Sequence, residues 1–279
     1  SAANLSSAEE KAFELLMVAH EKSAIKIDEF ENKKGYGREK IERDKERVER
    51  KKQEIQEAGT KTTRKARLLE MVLTDQIELS NWFGQDTYTI IPAEFDDFFH
   101  GIDIALEIED ESGIKHLALG IDATSSTRKI REKLKKIKDH IANGTLTTME
   151  YFHSDYHNPD LYKPVENIPQ VVIGVDSKTI RELGELWMTA YGLTKLRAKL
   201  DQPPLSPEAD KSQRDRMREA KGRLASHRAQ FLLLEEIKTQ LTVFIDFAIK
   251  MNQPAAAQKF IYVLELINSV LEEKGAPKK

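Results

Sequence analysis

Residues 101–124 read GIDIALEIEDESGIKHLALGIDAT and contain two runs in which apolar and polar side chains alternate. The large aliphatic residues fall at every second position: Ile102, Ile104, Leu106 and Ile108 in the first run, then Leu117, Leu119 and Ile121 in the second. A period of two is typical of β-strands, because successive side chains point to opposite faces of the sheet. Residues 110–113 form a turn sequence, Asp-Glu-Ser-Gly, so we expect an antiparallel hairpin.

The sequence on either side of this hairpin predicts further strands and many helices. Residues 87–91 and 170–176 are rich in strand-forming residues, whereas 62–83, 128–141 and 178–191 have apolar residues at helical spacing. The middle of the chain therefore has the order helix, strand, strand, strand, helix, strand, which predicts an α+β (mixed α/β) core. Helical patterns also fill residues 8–30 and 38–57 before this core and most of 208–274 after it.

Composition divides the chain into an N-terminal helical arm at 1–60, the α/β core at 61–200 and a C-terminal helical hairpin at 205–279. The segment DQPPLSP at 201–207 has the composition of a linker. Residues 38–57 carry 8 basic and 7 acidic side chains in mixed order, so we expect an exposed arm or spacer helix there. The C-terminal apolar stripes, which include Leu234, Leu241 and Ile267, predict helices that either pack within the chain or form a homodimer.

The overall composition excludes several classes of protein. The 279 residues include no Cys, which excludes disulfides, zinc fingers and thiol chemistry. Lys and Arg number 44 against 47 Asp and Glu, so the chain is not uniformly basic. No apolar run approaches the ~20 residues of a membrane span, and the first residues lack the apolar core of a signal peptide. We therefore expect a cytoplasmic location and no membrane partner.

Two acidic residues lie on the strand faces opposite the large aliphatic side chains, Asp103 in the first run and Asp122 in the second. If the strands pair, both carboxylates project from one side of the sheet, and the small neighbours Ala105, Ala118 and Gly120 leave room for a ligand. Two neighbouring carboxylates repel each other, so one takes up a proton or a divalent cation lies between them. Hard oxygen ligands of this kind suit Mg²⁺, which favours phosphodiester chemistry. Acidic residues on an exposed strand face are the simpler alternative.

The order of elements and the motifs DFFHGID (97–103) and GIDAT (120–124) resemble the restriction-endonuclease-like, or PD-(D/E)xK, nuclease superfamily. The resemblance covers about residues 61–191 and implies an α-β-β-β-α-β core. It also implies hydrolysis of nucleic acid with Mg²⁺ (or Mn²⁺) as the cofactor, and it assigns the metal to Asp103 and Asp122. Many members add an acid on the first helix, a place that either Glu70 or Glu78 fills here.

The sequence departs from this family at Thr124, where the motif has its lysine, and so resembles a divergent branch. Some members carry the lysine on the following helix, where Lys133 is our first choice and Lys129 the second. Residues 128–138 contain 7 basic residues and 1 acidic residue. This concentration of positive charge predicts contacts of Lys129, Lys133 and Lys136 with nucleic acid, although a solvated lysine face is the simpler interpretation.

Three functions remain open from the sequence: a Mg²⁺-dependent nuclease, an inactive relative that binds nucleic acid or protein, and a helical assembly protein. Several other side chains are weaker candidates for ligation, proton transfer or base stacking, and for each an ordinary surface or loop role is the simpler interpretation. These candidates are Asp96, Asp97, His100, His116, Tyr151, His153, Tyr156 and His157.

Overall fold

The computed structural model describes residues 5–57, 64–111, 113–121, 127–156, 161–201, 203 and 205–275. Their fold is mixed α+β, with a four-stranded sheet, a two-stranded sheet and helices on both sides. No helix in these ranges is both long enough and apolar enough to cross a membrane.

The four-stranded sheet contains the predicted hairpin. Its strands are β1 (Thr87–Ile90), β2 (Ile104–Asp110), β3 (Gly113–Ile121) and, counted along the chain, β6 (Gln170–Ile173). The order is β1-β2-β3-β6, with β1, β2 and β3 antiparallel and β6 parallel to β3. Gly113 follows the hairpin turn with φ 103°, a left-handed value that glycine adopts without strain. The prediction of an antiparallel hairpin is therefore confirmed.

Two elements between these strands were not predicted. A short helix, α4 (Glu94–His100), lies between β1 and β2, and it ends at Gly101 in a left-handed conformation. The strands β4 (Thr147–Met149) and β5 (Val165–Ile168) pair antiparallel as a separate two-stranded sheet. Both elements pack on the side of the main sheet that carries Asp103.

The N-terminal helices are α1 (Ser7–Ser23), α2 (Arg38–Glu57) and α3 (Arg64–Leu79), and a 3-10 turn (Ile27–Phe30) lies between the first two. A capping box begins α1, since the Ser6 hydroxyl accepts from Glu9 N and the Glu9 carboxylate accepts from Ser6 N. The periodicity predicted a helix through residue 30, but α1 ends at Ser23. There, Ile25 N donates to Ile91 O at 3.0 Å, which fixes the chain next to β1.

The helix α2 is not the fully exposed arm that its mixed charges predicted. It buries Ile41, Asp44 and Val48 against α4 and neighbouring residues. The Asp44 carboxylate accepts from Lys40 Nζ at 3.0 Å and from Tyr151 OH at 2.9 Å. A buried carboxylate is tolerated when it is hydrogen-bonded and paired, and both partners are present here.

The later helices are α5 (Thr127–Ala142), α6 (Ser177–Trp187), α7 (Leu193–Lys199), α8 (Pro207–Ala225), α9 (Ala229–Lys250) and α10 (Pro254–Glu273). A π-helical turn (Met188–Gly192) joins α6 to α7. As predicted, α9 and α10 form a helical hairpin. The stripe containing Leu234 and Leu241 is buried within the chain, where α9 packs on α5 and β6.

Both faces of the main sheet are buried. Ile104, Leu106 and Leu119 pack into the core beneath α1, α3, α6, α9 and α10. The opposite face presents Ala105 and Ala118 to a second apolar cluster. The simpler alternative placed Asp103 on an exposed strand face, but the face of the sheet that carries Asp103 is buried. An ionised carboxylate on a buried face needs partners.

Candidate active site

Asp103 lies immediately before β2 and is held by the backbone of β3. Its N–H donates to Leu119 O at 2.9 Å, and its Oδ2 accepts from Ile121 N at 2.5 Å. The pairing of Ile104 with Leu119 places Asp103 opposite Gly120, which has no side chain to fill the space. The carboxylate is thus oriented by the hairpin that the sequence predicted.

Asp122 and Thr124 follow β3 and lie outside the described residues, so their predicted proximity to Asp103 stays a prediction. Lys129 belongs to the first turn of α5, but its side chain is also outside the description. The candidate site is therefore built from the side chains around Asp103.

Of the two glutamates considered from the sequence, Glu70 is the one near Asp103. It is buried on α3, and its carboxylate raises the pKa of Asp103. Glu78 instead faces β1, where its Oε1 accepts from Thr89 N at 2.9 Å and from Tyr156 OH at 3.0 Å. Which glutamate lies near Asp103 depends on how α3 is oriented, because residues eight positions apart on this helix contact different neighbours.

Two basic side chains contact the Glu70 carboxylate. Arg67 Nη1 donates to Glu70 Oε1 at 2.6 Å from one turn earlier on α3. His20 Nε2, at the end of α1, lies 3.0 Å from the same oxygen without hydrogen-bond geometry. The sequence analysis named neither residue. The i, i+3 spacing of Arg67 and Glu70 could have predicted their contact from the sequence. The contact of His20 with Glu70 could not be predicted in this way, because the two residues are far apart in the chain.

Asp97 is a third acid of the site, and α4 positions it. Desolvation, Asp103 and Glu70 raise the pKa of Asp97 well above its ordinary value. Desolvation and then Glu70 raise the pKa of Asp103 to about 7. Each shift reports that an additional negative charge is unfavourable in this region. We call Glu70, Asp97 and Asp103 the acid centre.

Lys133 supplies an ammonium group beside the acid centre. Its Nζ donates to Ile121 O at 2.8 Å, at the end of β3 and one residue before Asp122. Lys133 lowers the pKa of both Asp97 and Asp103, although desolvation has the larger effect on each. The structure thus brings together three of the predicted catalytic residues, Glu70, Asp103 and Lys133.

The neighbouring Asp96 has a structural role. It is fully buried, and its Oδ1 accepts from Glu150 N at 2.6 Å and contacts His100 Nδ1 at 2.7 Å. Its Oδ2 accepts from Tyr151 N at 3.0 Å. These contacts join α4 to the segment after β4, and they fix the adjacent Asp97 in position.

The histidines and tyrosines considered from the sequence are engaged within the chain. His116 pairs with Glu107 at 3.3 Å, and His153 stacks on Tyr162 with ring centroids 4.3 Å apart. Tyr151 is fully buried, so its suggested role in stacking on bases is wrong. Tyr156 stacks on Tyr88 with centroids 4.4 Å apart, and His157 lies outside the described residues.

The exposed side chains of α5 add positive charge next to this region. Arg131, Lys135 and Lys136 are exposed, whereas Lys133 is partly buried and bonded to β3. Three acids and the two cations Arg67 and Lys133 thus lie at one end of the sheet, beside a basic helix. Oxygen donors with excess negative charge fit a hard divalent cation. Within the described residues, however, no group of three or more His, Cys, Asp or Glu side chains is arranged to hold a metal ion.

Comparisons of the chain with protein-family models, with curated proteins and with solved structures give no match.

Proposed function

We propose that this protein hydrolyses phosphodiester bonds in nucleic acid, with Mg²⁺ as the cofactor and Mn²⁺ as a substitute. The observation that carries the proposal is the acid centre at the end of a β-hairpin, with the Lys133 ammonium bonded to the neighbouring strand. Coupled carboxylates with one nearby amine are the groups that this chemistry requires.

The arrangement of the core supports the same proposal. The elements α3, β1, β2, β3, α5 and β6 follow the α-β-β-β-α-β order of the restriction-endonuclease-like fold, with β6 parallel to β3. In this interpretation α4 and the β4–β5 sheet are insertions. Asp103 occupies the second-strand position of the family motif, and Lys133 takes the role of the lysine that Thr124 replaces.

Asp103 and Asp122 would hold the metal ion, which when bound offsets charge on the phosphate and supplies an activated water. The hydrogen bond from Ile121 N keeps the Asp103 carboxylate in one orientation. Glu70 contributes negative charge from α3, and its contact with Arg67 fixes that carboxylate. The Lys133 ammonium stabilises negative charge that develops on the phosphate oxygens.

The proposal is tested by cleavage of plasmid DNA, single-stranded DNA and RNA with Mg²⁺ or Mn²⁺. Asp103→Asn and Lys133→Ala should each lower the cleavage rate about 100-fold or more, as expected for groups that stabilise transition-state charge. Asp139→Asn, on the exposed side of the same α5, is the matched control and should leave the rate unchanged. Metal-dependent cleavage that survives Asp103→Asn would contradict the assignment.

A second candidate function is an inactive relative that binds nucleic acid. Thr124 at the motif lysine position favours it, as do the exposed side chains of Arg131, Lys135 and Lys136. This candidate predicts binding without product, and an affinity that falls steeply as salt concentration rises. Binding by Asp103→Asn with unchanged affinity and no cleavage by the native protein would favour it over the nuclease.

A further inference from the structure

A cavity of about 710 Å³ lies between α1, α3, β1 and residues 153–156. None of the acid-centre residues lines it, although His20, which contacts Glu70, does. Its volume is within the range of about 300–1,000 Å³ that is usual for small-molecule sites. It is far larger than the coordination shell of a single metal ion.

Carboxylates dominate the charged groups of the cavity wall. Glu29, Asp75, Glu78 and Asp155 line it, against a single lysine, Lys22. Asp155 contacts His153 at 3.0 Å and is otherwise exposed to water. Of the wall carboxylates, α3 contributes Asp75, which is partly buried, and Glu78, which is exposed. These two residues are three positions apart on α3 and so share one face of the helix.

Hydrogen bonds hold both of these α3 carboxylates in place. Asp75 Oδ2 accepts from Trp187 Nε1 at 2.7 Å. Glu78 Oε1 accepts from Thr89 N, Thr89 Oγ1 and Tyr156 OH. Among the described residues, no Lys or Arg side chain forms an ion pair with either carboxylate. Burial raises the pKa of Asp75, although the hydrogen bond from Trp187 and the nearby charge of Lys195 lower it.

Two further observations indicate the ligand class. The side chain of His20, which also lines the cavity, is only 3% exposed. Its Nδ1 has no hydrogen-bond partner among the described residues, and its Nε2 lies 3.0 Å from Glu70 Oε1. The remaining wall is mixed, with the apolar Leu16, Met71 and Ile90 and the polar Thr74, Ser154 and Tyr156. The cavity thus combines paired hydrogen-bond acceptors with an apolar surface, which suits a cationic head group on an apolar body.

We propose that this cavity binds an organic cation whose ammonium group lies between Asp75 and Glu78 and whose apolar body packs on Leu16, Met71 and Ile90. The ammonium donates to the two carboxylates, and it offsets the charge that α3 concentrates there. The inference concerns a ligand site distinct from the acid centre, and it does not depend on nuclease activity.

The test is calorimetric titration of the full chain with n-hexylammonium, 1-hexanol and hexanoate, in EDTA and without nucleic acid. These probes have the same alkyl chain and differ in head-group charge. Hexylammonium should bind one molecule per chain at least tenfold more tightly than hexanol, and hexanoate should not bind. Equal affinity for hexylammonium and hexanol, or no binding of hexylammonium, would overturn the proposal.

Two variants and one control localise the binding. Asp75→Asn and Glu78→Gln each keep the oxygen that accepts the existing hydrogen bonds, so both should fold, as circular dichroism would verify. Each should weaken hexylammonium binding about tenfold or more. Glu219→Gln, an exposed acid on α8, should leave it unchanged. Affinity that neither cavity variant alters would overturn the proposal. Binding of Ca²⁺ (as CaCl₂) without binding of hexylammonium, with the Ca²⁺ binding lost in Asp75→Asn, would also overturn it.

Discussion

The raised pKa of Asp103 leads to a prediction about stability. In the folded chain this pKa rises from 3.8 to about 7, so between these values the folded state binds more protons than the unfolded state. Stability therefore falls as pH rises from about 4 to about 7, and the cost remains at higher pH. At about 1.4 kcal/mol per pH unit, the shift corresponds to about 4 kcal/mol.

Asp103→Asn removes this ionisation while it keeps an oxygen that can accept from Ile121 N. We expect the variant to exceed the native protein's free energy of unfolding by about 1 kcal/mol at pH 4.5, where Asp103 of the unfolded chain is already largely ionised, and by about 2–4 kcal/mol at pH 8. The lower end allows for Asp97, whose titration is linked to that of Asp103.

Urea denaturation in EDTA, followed by far-UV circular dichroism at both pH values, measures the effect. Asp139→Asn is the control, and its difference from the native protein should not change between the two pH values. The reasoning is refuted if Asp103→Asn is as destabilised at pH 8 as at pH 4.5. Added Mg²⁺ should stabilise the native protein at pH 8 more than the variant, since bound ligand stabilises the folded state.

Three further predictions follow from named contacts. Gln240→Ala should lower the free energy of unfolding by about 1–3 kcal/mol, because the Gln240 amide forms hydrogen bonds with both Val172 N and Val172 O on β6. A urea midpoint equal to that of the native protein would contradict this prediction. Tyr151→Phe removes the hydroxyl that donates to the buried Asp44 carboxylate and should lower the free energy of unfolding by about 1–2 kcal/mol, as thermal unfolding would detect. No change would mean that the basic neighbours of Asp44, Lys40 among them, satisfy it without Tyr151. Lys136→Glu should weaken nucleic-acid binding and reduce its salt dependence in fluorescence anisotropy, and an unchanged salt slope would remove α5 from the interface.

The acid centre was only partly readable from the sequence. Asp103 and Lys133 were identified because each lies on an element whose period is clear over several residues. Asp97 was considered as a possible metal ligand, with a turn residue as the simpler interpretation, and its helix was not predicted because α4 is too short for a clear helical period. Glu70 and Glu78 were both considered for the acid on α3, and Glu70 was assigned the supporting role, but only the packing of α3 decides which of them reaches Asp103.

The charge pattern of α2 predicted an exposed helix, but the structure buries one side of it. Fifteen charged residues out of 20 predicted a solvated helix, yet a narrow stripe with Ile41, Asp44 and Val48 is buried. One of the donors to Asp44 is Tyr151, more than 100 residues away in the chain. No local rule relates two such positions.

Local periodicity was sufficient for the β2–β3 hairpin, for α5 and for the α9–α10 hairpin, because the alternation of side chains is a property of neighbouring residues. The absence of Cys is likewise a fact of composition. Tertiary packing decided how distant segments meet: it placed His20 and Arg67 on Glu70, raised the pKa of Asp97 and Asp103, and formed the cavity beside α3. Desolvation and charge coupling act through space, so they depend on long-range packing that periodicity does not encode.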